Sequence, residues 1–378
     1  MRLAKKALLL WSTAGVVVVI ILLLWIKRNP QPEDRKSSLR LRYQSGQHGS
    51  PIQHEGPADR LILPKPEFDD VSLNSSHRPR PLLRLLVLTF DRARSLARCL
   101  ESLNAAEYDG RQVVLDIFLD RARDGHVHNA TLAVARNFSF KHGHSQVHVH
   151  SRHVGIYGQW LGTWRVPADN ESEIAVFLED DISVSPFFAR WLWRVHAKYD
   201  VYPAVNGYAL QGESIRHAIN SEETLLEGPP GESVFLYPVL GTWGFSPNAA
   251  PWRRFIQWYQ EVSRQPKFIP HVPGLKPSLW YRQFLKEGRE DSMWSMWHIY
   301  HSYQNHLYTL YPNLPERQGL SHNWKEPGMH FSSDVAKEKS RVNLMTVWRE
   351  EDLRLPESPV ILDANGHIVG KLSPPPLY

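Results

Sequence analysis

The sequence predicts an α/β fold, a mostly parallel sheet flanked by helices. Three observations predict it. Apolar runs of strand length alternate with helix-period segments from Leu82 to Tyr199. The runs end on charged residues: Asp91-Arg92 after Phe90, Asp120 after Leu119, and Glu179-Asp180-Asp181 after Leu178. No GxGxxG or GxxxxGK[ST] loop joins a strand to a helix, which argues against a dinucleotide fold and a P-loop NTPase.

Leu82 to Phe90 is the first strand, a short, mostly apolar run of strand length. Leu96, Cys99, Leu100 and Leu103 follow helical spacing, so Ser95 to Leu103 reads as a helix. Val113 to Leu119 is the second strand, Thr131 to Phe138 the second helix and Val147 to His150 a third strand. Ile174 to Leu178 is a fourth, followed by an aromatic-rich helix, Phe187 to Tyr199. The second half is less regular. Ser233 to Leu240 is strand-like; Trp252 to Val262 and Ser292 to Tyr303 read as helices. Pro312 to Gly328 reads as a Pro/Gly-containing loop. Asn365-Gly366 between two apolar triplets, Val360 to Leu362 and His367 to Val369, predicts a hairpin.

Arg2, Lys5 and Lys6 precede an uncharged run, Ala7 to Ile26. At about 1.5 Å per residue that run spans about 30 Å, the apolar core of a bilayer. Lys27 and Arg28 follow without a small-x-small cleavage site, so residues 7–26 are expected to be an uncleaved signal anchor behind a cytosolic tail, 1–6. Residues 27–80, rich in Pro, Ser, Arg, Gln and His, read as a flexible stem. A catalytic domain over 81–340 and a C-terminal extension over 341–378 complete the organisation. Basic residues flank both sides of the anchor, so charge leaves orientation open. The sequons at Asn74, Asn129, Asn137 and Asn170 favour a lumenal domain.

The net charge of +5 is modest, and no basic stripe interleaves with aromatics, so no nucleic-acid partner is expected. Cys99 is the only cysteine and reads as a small buried apolar residue. The pairs His126/His128, His142/His144 and His148/His150 lack the HExxH pattern, and no thiolate zinc site is possible.

Three adjacent acids at a strand exit repel one another, and a hard divalent cation, Mn²⁺ or Mg²⁺, relieves that repulsion. The alternative reading is a solvated turn in which Asp181 or Ser183 caps the next helix. Arg92 suits phosphate oxygens and Asp120 can accept from a nucleotide base, or both make ordinary loop salt bridges. Glu290-Asp291 precedes the Trp/Met helix and is either a general base or a helix cap. His322, in Gly319-Leu320-Ser321-His322, belongs to a phosphate-contacting lid or to the surface.

In order along residues 84–331, short islands of this chain resemble N-acetylglucosaminyltransferase I and its relatives, glycosyltransferase family 13. They are "LLVLTFDRARSLARCL" (85–100), "FLEDDISVSPFF" (177–188), "LGTWGFSPNAAPW" (240–252), "REDSMW" (289–294) and "GLSHNW" (319–324). The family's His-Arg-Lys stretch is replaced by "RHVGIYGQWLGTWRV" (152–166), and its disulfide-forming cysteines are missing. The resemblance implies a GT-A fold, an inverting mechanism, Mn²⁺ and a UDP-sugar donor, with a glycan or glycoprotein hydroxyl as acceptor. Carried over by position, Asp91, Arg92 and Asp120 bind the nucleotide. Asp181 is the metal ligand, with Glu179 and Asp180 near the ribose and sugar. Asp291, beside Glu290, is the catalytic base. Ser321 and His322 belong to a loop ordered by the donor. With the anchor, this implies a single-pass type II protein of the Golgi membrane. The competing expectation is a membrane-anchored carbohydrate-binding protein on the same scaffold, without turnover.

Overall fold

In a computed structural model, the described residues are 83–166, 173–222, 224–326, 342–351 and 354–375. The expected tail, anchor and stem, and the sequons at Asn74 and Asn170, lie outside them. No helix among the described residues is long and apolar enough to cross a membrane. All of them fall in one compact unit, Pro57–Tyr378.

The N-terminal half is built as the alternation predicts. Strand β1 (Leu83–Thr89) is followed by α1 (Ala93–Asn104), β2 (Val113–Leu119), α2 (Asn129–Asn137), β3 (Gly143–Val149), α3 (Gly155–Gly162) and β4 (Ile174–Glu179). The four strands lie parallel in the order β3-β2-β1-β4. Then come β5 (Ile182–Val184), α4 (Phe188–Tyr199), β6 (Val205–Ala209), β7 (Val234–Tyr237), β8 (Phe245–Pro247), α5 (Ala249–Val262), α6 (Lys276–Glu287), α7 (Ser295–Gln304), β9 (Tyr308–Pro312), β10 (Ser321–Asn323), β11 (Val360–Leu362) and β12 (Ile368–Lys371).

The main sheet has ten strands in the order β12-β11-β7-β9-β6-β8-β4-β1-β2-β3. Beyond β4 it is mixed: β8 runs antiparallel to both β4 and β6, and β7 antiparallel to β9. The predicted hairpin forms, turning at Gly366 (φ +87°), and β11 joins β7, adding it to the sheet. The 312–328 segment corrects the loop reading, because its Ser321–Asn323 stretch is β10, paired antiparallel with β5.

Strand side chains alternate between two cores. Leu83, Leu85 and Val87 of β1 pack with Leu96, Leu100 and Trp191 on one face. Leu86 and Leu88, with Phe177 of β4, pack with Trp160, Trp252 and Trp297 on the other. Both faces being covered explains why these strands read as mostly apolar runs. It also leaves the C-terminal strand ends as the exits for polar groups.

Candidate active site at the ends of β1 and β4

The acidic triplet leaves β4 where β1 ends, with Leu88 in register with Glu179. The two-residue period sends successive acids in different directions. Glu179 continues the Phe177 face, and its Oε1 accepts a hydrogen bond from Trp160 Nε1 at 3.0 Å. The Trp160 ring stacks on Phe177 at 5.0 Å and on Trp294 at 4.5 Å. Asp180 turns toward β1, where Thr89 Oγ1 donates to its Oδ2 at 2.7 Å. Asp181 accepts from Asn323 Nδ2 at 3.3 Å, and its carbonyl accepts from the Trp324 N–H at 3.0 Å.

Arg92 binds the last two acids together. Its Nη2 lies 2.5 Å from Asp180 Oδ1 and its Nη1 3.1 Å from Asp181 Oδ2. The residue sits where β1 gives way to α1, and α1 is pinned by buried Leu96, Cys99, Leu100 and Leu103. The fork is therefore held by the core rather than by a loop.

One guanidinium does not offset three clustered carboxylates, two of them buried and Glu179 half-buried. Burial, reinforced by Asp181, pushes the Glu179 carboxyl up to about 8. Burial raises Asp180 to about 6 against the opposing pull of Arg92, and raises Asp181 in the same way. Burial, with Asp180 and Asp181 nearby, also pushes the Cys99 thiol up, which fits an inert core residue. Among the described residues, no three His, Cys, Asp or Glu side chains are grouped to hold a metal ion. The donor set fits a divalent cation in one way only. With all three acids ionised the cluster would exceed Arg92 by two negative charges, and Asp181 is the residue that would offer a carboxylate to a divalent cation.

Ser321 and His322 reach the site through backbone pairing. His322 is in register with Ser183 and Asn323 with Ile182, so β10 lies alongside the chain leaving the triplet. Burial lowers the His322 pKa, and its ring meets Trp324 edge-on at 5.0 Å. Trp324 is held by Ser183 Oγ at 2.9 Å and by the Arg98 guanidinium 4.2 Å over its face. Ser321 Oγ donates to the Trp243 carbonyl.

Other predicted residues are placed differently. Asp120 is buried, and both oxygens are engaged within the protein. Oδ1 accepts from the N–H groups of Arg121 and Val154, and Oδ2 from that of Gly155, with His153 Nδ1 at 3.1 Å. It fixes the start of α3 against the end of β2. Asp91 is exposed beside Arg92. Asp291 lies in a short 3₁₀ turn, Glu290–Ser292, and not on the helix that follows. Its side chain is 62 % exposed and pairs with Arg123 at 3.1 Å. The turn leans on α3, where Tyr157 OH donates to the Glu290 carbonyl at 2.9 Å. Helix α3 therefore bridges the triplet and the 290–294 segment, through Trp160 on one side and Tyr157 on the other. Sequence reasoning missed Thr89, Trp160 and Asn323. Asn323 directly follows Ser321-His322, so the motif itself carried the signal.

A second polar chain imitates a hydrolase. His196 Nδ1 lies 2.9 Å from Asp200 Oδ2 and Nε2 2.8 Å from Ser246 Oγ. Ser246 is 0 % exposed and directs its proton to the Ala175 carbonyl at 2.5 Å. No substrate reaches that oxygen. The chain ties α4 and β8 to β4.

No family model matches the chain. No curated protein matches it. Among solved structures it is similar to that of S. aureus TarS 1-349, at 11 % identity and a TM-score of 0.34. That likeness covers 62 % of this chain and 61 % of the other, and it carries no argument about activity.

Proposed function

We propose that the chain is a metal-dependent glycosyltransferase of GT-A-like architecture. It moves a sugar from a nucleotide-diphosphate donor, UDP-linked, to a hydroxyl of a glycan or glycoprotein, with inversion. One observation carries this reading: at the exit of β4 two buried carboxylates, Asp180 and Asp181, and the half-buried Glu179 stand against a single guanidinium. Such a cluster calls for a further cation, and the ends of parallel strands are where nucleotide ligands bind. Bound there, Mn²⁺ or Mg²⁺ supplies charge stabilisation for the departing diphosphate. Asp181 is its protein ligand. Arg92 turns its fork from the acids to phosphate oxygens. Glu179 and Asp180 face the ribose and sugar. Asp120 keeps α3 in place beside the nucleotide, and Ser321 and His322 border the donor along β10. Asp291, next to Glu290, takes the proton of the acceptor hydroxyl. Exposed Asn129 and Asn137 accord with a lumenal domain on a membrane anchor, in the Golgi.

The test is UDP release from a panel of UDP-sugars and acceptors, with Mn²⁺ or EDTA. Asp181→Asn is expected to abolish turnover and to keep the wild-type circular dichroism spectrum. Turnover that EDTA leaves intact overturns the metal role. A second reading, sugar or nucleotide binding without turnover, is favoured by the exposed, Arg123-paired state of Asp291. Donor-induced thermal stabilisation with no product from any acceptor selects it.

A further inference from the structure

The sequon Asn137-Phe138-Ser139 lies where α2 ends and the chain turns toward β3. Phe138 leaves the helix in extended backbone, at φ −73° and ψ 131°. Extended backbone sends successive side chains to opposite sides. Phe138 is half-buried and packs against the core that holds Leu100 and Trp191. Phe140 is 8 % exposed, with Tyr108 edge-on to it at 6.0 Å. Asn137 and Ser139 alternate with these two rings, and both are exposed. Asn104, at the end of α1, fixes the arrangement. Its Nδ2 donates to the Ser139 carbonyl at 2.9 Å, and its Oδ1 accepts from the Lys141 N–H at 3.0 Å. Neither contact uses the Asn137 amide or the Ser139 hydroxyl.

We propose that Asn137 carries an N-linked glycan. The inference rests on the lumenal placement given above and goes beyond it, because the structure separates one sequon from another. The reaction joins Asn137 Nδ2 to the anomeric carbon of an oligosaccharide delivered on a polyprenyl diphosphate. The bond from that carbon to the diphosphate oxygen breaks. The diphosphate leaves with the electron pair, and the amide gives up one proton. Three conditions follow. The amide nitrogen must be unengaged. Among the described residues the Asn137 side chain makes no hydrogen bond within the protein, whereas Asn206, Asn248 and Asn313, like Asn104, donate from Nδ2. The hydroxyl two residues on, which completes the motif, must be reachable. Ser139 is exposed. In the sequon of Asn129 the hydroxyl belongs to Thr131, which is 0 % exposed and lies 2.7 Å from His128 Nδ1. The glycan must also stand in solvent. Ala133, one helical turn before Asn137, is exposed and places no bulky side chain beside it.

The test is expression of the full chain in a eukaryotic cell, native digestion with peptide N-glycosidase in heavy-oxygen water, and peptide mass spectrometry. Asn137 is expected to return as aspartate carrying heavy oxygen, released without denaturant because the site is exposed. Ser139→Ala is expected to abolish the modification while keeping Asn137 and the wild-type circular dichroism spectrum, and Ser139→Thr to retain it. An unmodified Asn137 beside a modified Asn129 or Asn74 overturns the proposal and leaves the lumenal reading standing. So does a bare Asn137 in a domain that sealed microsomes protect from added protease. A domain that the protease digests, with every sequon bare, overturns both together. A modification at Asn137 that persists in Ser139→Ala also overturns the proposal, since it is then not sequon-directed.

Discussion

Arg92→Gln probes the electrostatic core of the candidate site. Arg92 contacts Asp180 at 2.5 Å and Asp181 at 3.1 Å, and those carboxylates are only 2 % and 6 % exposed. Removing one partner of a fully buried pair costs about 3–5 kcal/mol, because the remaining charge stays desolvated. The Arg92 side chain is 28 % exposed, so water offsets part of the loss and the expected cost is at the lower end, about 3 kcal/mol. For a domain of this size that lowers the melting temperature by roughly 5–10 °C. The assay is thermal unfolding in EDTA at pH 7.5, repeated across a Mn²⁺ series. In EDTA the variant melts well below the wild type. With Mn²⁺ its melting temperature rises more steeply than that of the wild type, because a bound cation takes over the compensation that the guanidinium supplied. The double variant with Asp181→Asn recovers part of the loss, since one of the stranded charges is gone. An Arg92→Gln protein that melts within about 1 °C of the wild type in EDTA refutes the reasoning, because a fork that offsets buried charge cannot be removed at no cost.

Further outcomes follow from groups outside the triplet. Burial depresses the pKa of His217 to about 4 and of His298 to about 3. Both folded values lie below the unfolded one, so the unfolded chain takes up protons first. The contribution of these residues is intact above pH about 6.5 and is lost as the pH falls toward 4, by about 3 kcal/mol for His217; urea titrations between pH 7.5 and 4.5 follow it, and His217→Gln flattens the slope. A Cβ at Gly212 would lie 2.1 Å from the Gln318 carbonyl oxygen, a backbone atom. Gly212→Ala is therefore expected to cost about 2–3 kcal/mol and to diminish donor-induced stabilisation by shifting the approach to β10; a variant that melts as the wild type does contradicts the contact. Ser246→Ala leaves His196 Nε2 without its partner, costing about 1–3 kcal/mol in denaturant melts, and leaves UDP release unchanged because Ser246 has no access to substrate.

The parts of the fold legible in the sequence are those with one dominant period. Strands β1, β2 and β4 are buried on both faces and appear as mostly apolar runs, broken in β1 and β2 only by the paired Arg84 and Asp116, and α1 carries its Leu96/Cys99/Leu100/Leu103 stripe against one core. The triplet was legible because three acids at the end of such a run stand out against its apolar residues. Strands β5, β8 and β10 have three residues each, too short for any period to register. Strand β10 is defined by pairing with β5 across more than a hundred residues of chain, which local pattern does not encode.

Helix α3 is the instructive miss, because the candidate site depends on it most. Gly155-Ile156-Tyr157-Gly158-Gln159-Trp160-Leu161-Gly162 has three glycines and no polar face, so propensity and amphipathicity both argue against a helix. The segment is helical because a tertiary contact fixes its start and a local one its end. Asp120 accepts the Val154 and Gly155 N–H groups at the start, and Thr163 Oγ1 donates to the Gln159 carbonyl near the end. Gly158 is required, since a Cβ there would lie 2.4 Å from Val154 Cβ. With those ends fixed, Gln159 donates to the carbonyls of Thr89 and Phe118 at 3.0 and 3.3 Å, while Trp160 reaches Glu179 and Tyr157 reaches the Glu290 carbonyl. The helix is thus a polar strut through an apolar layer, setting the triplet and the Asp291 turn against one rigid element.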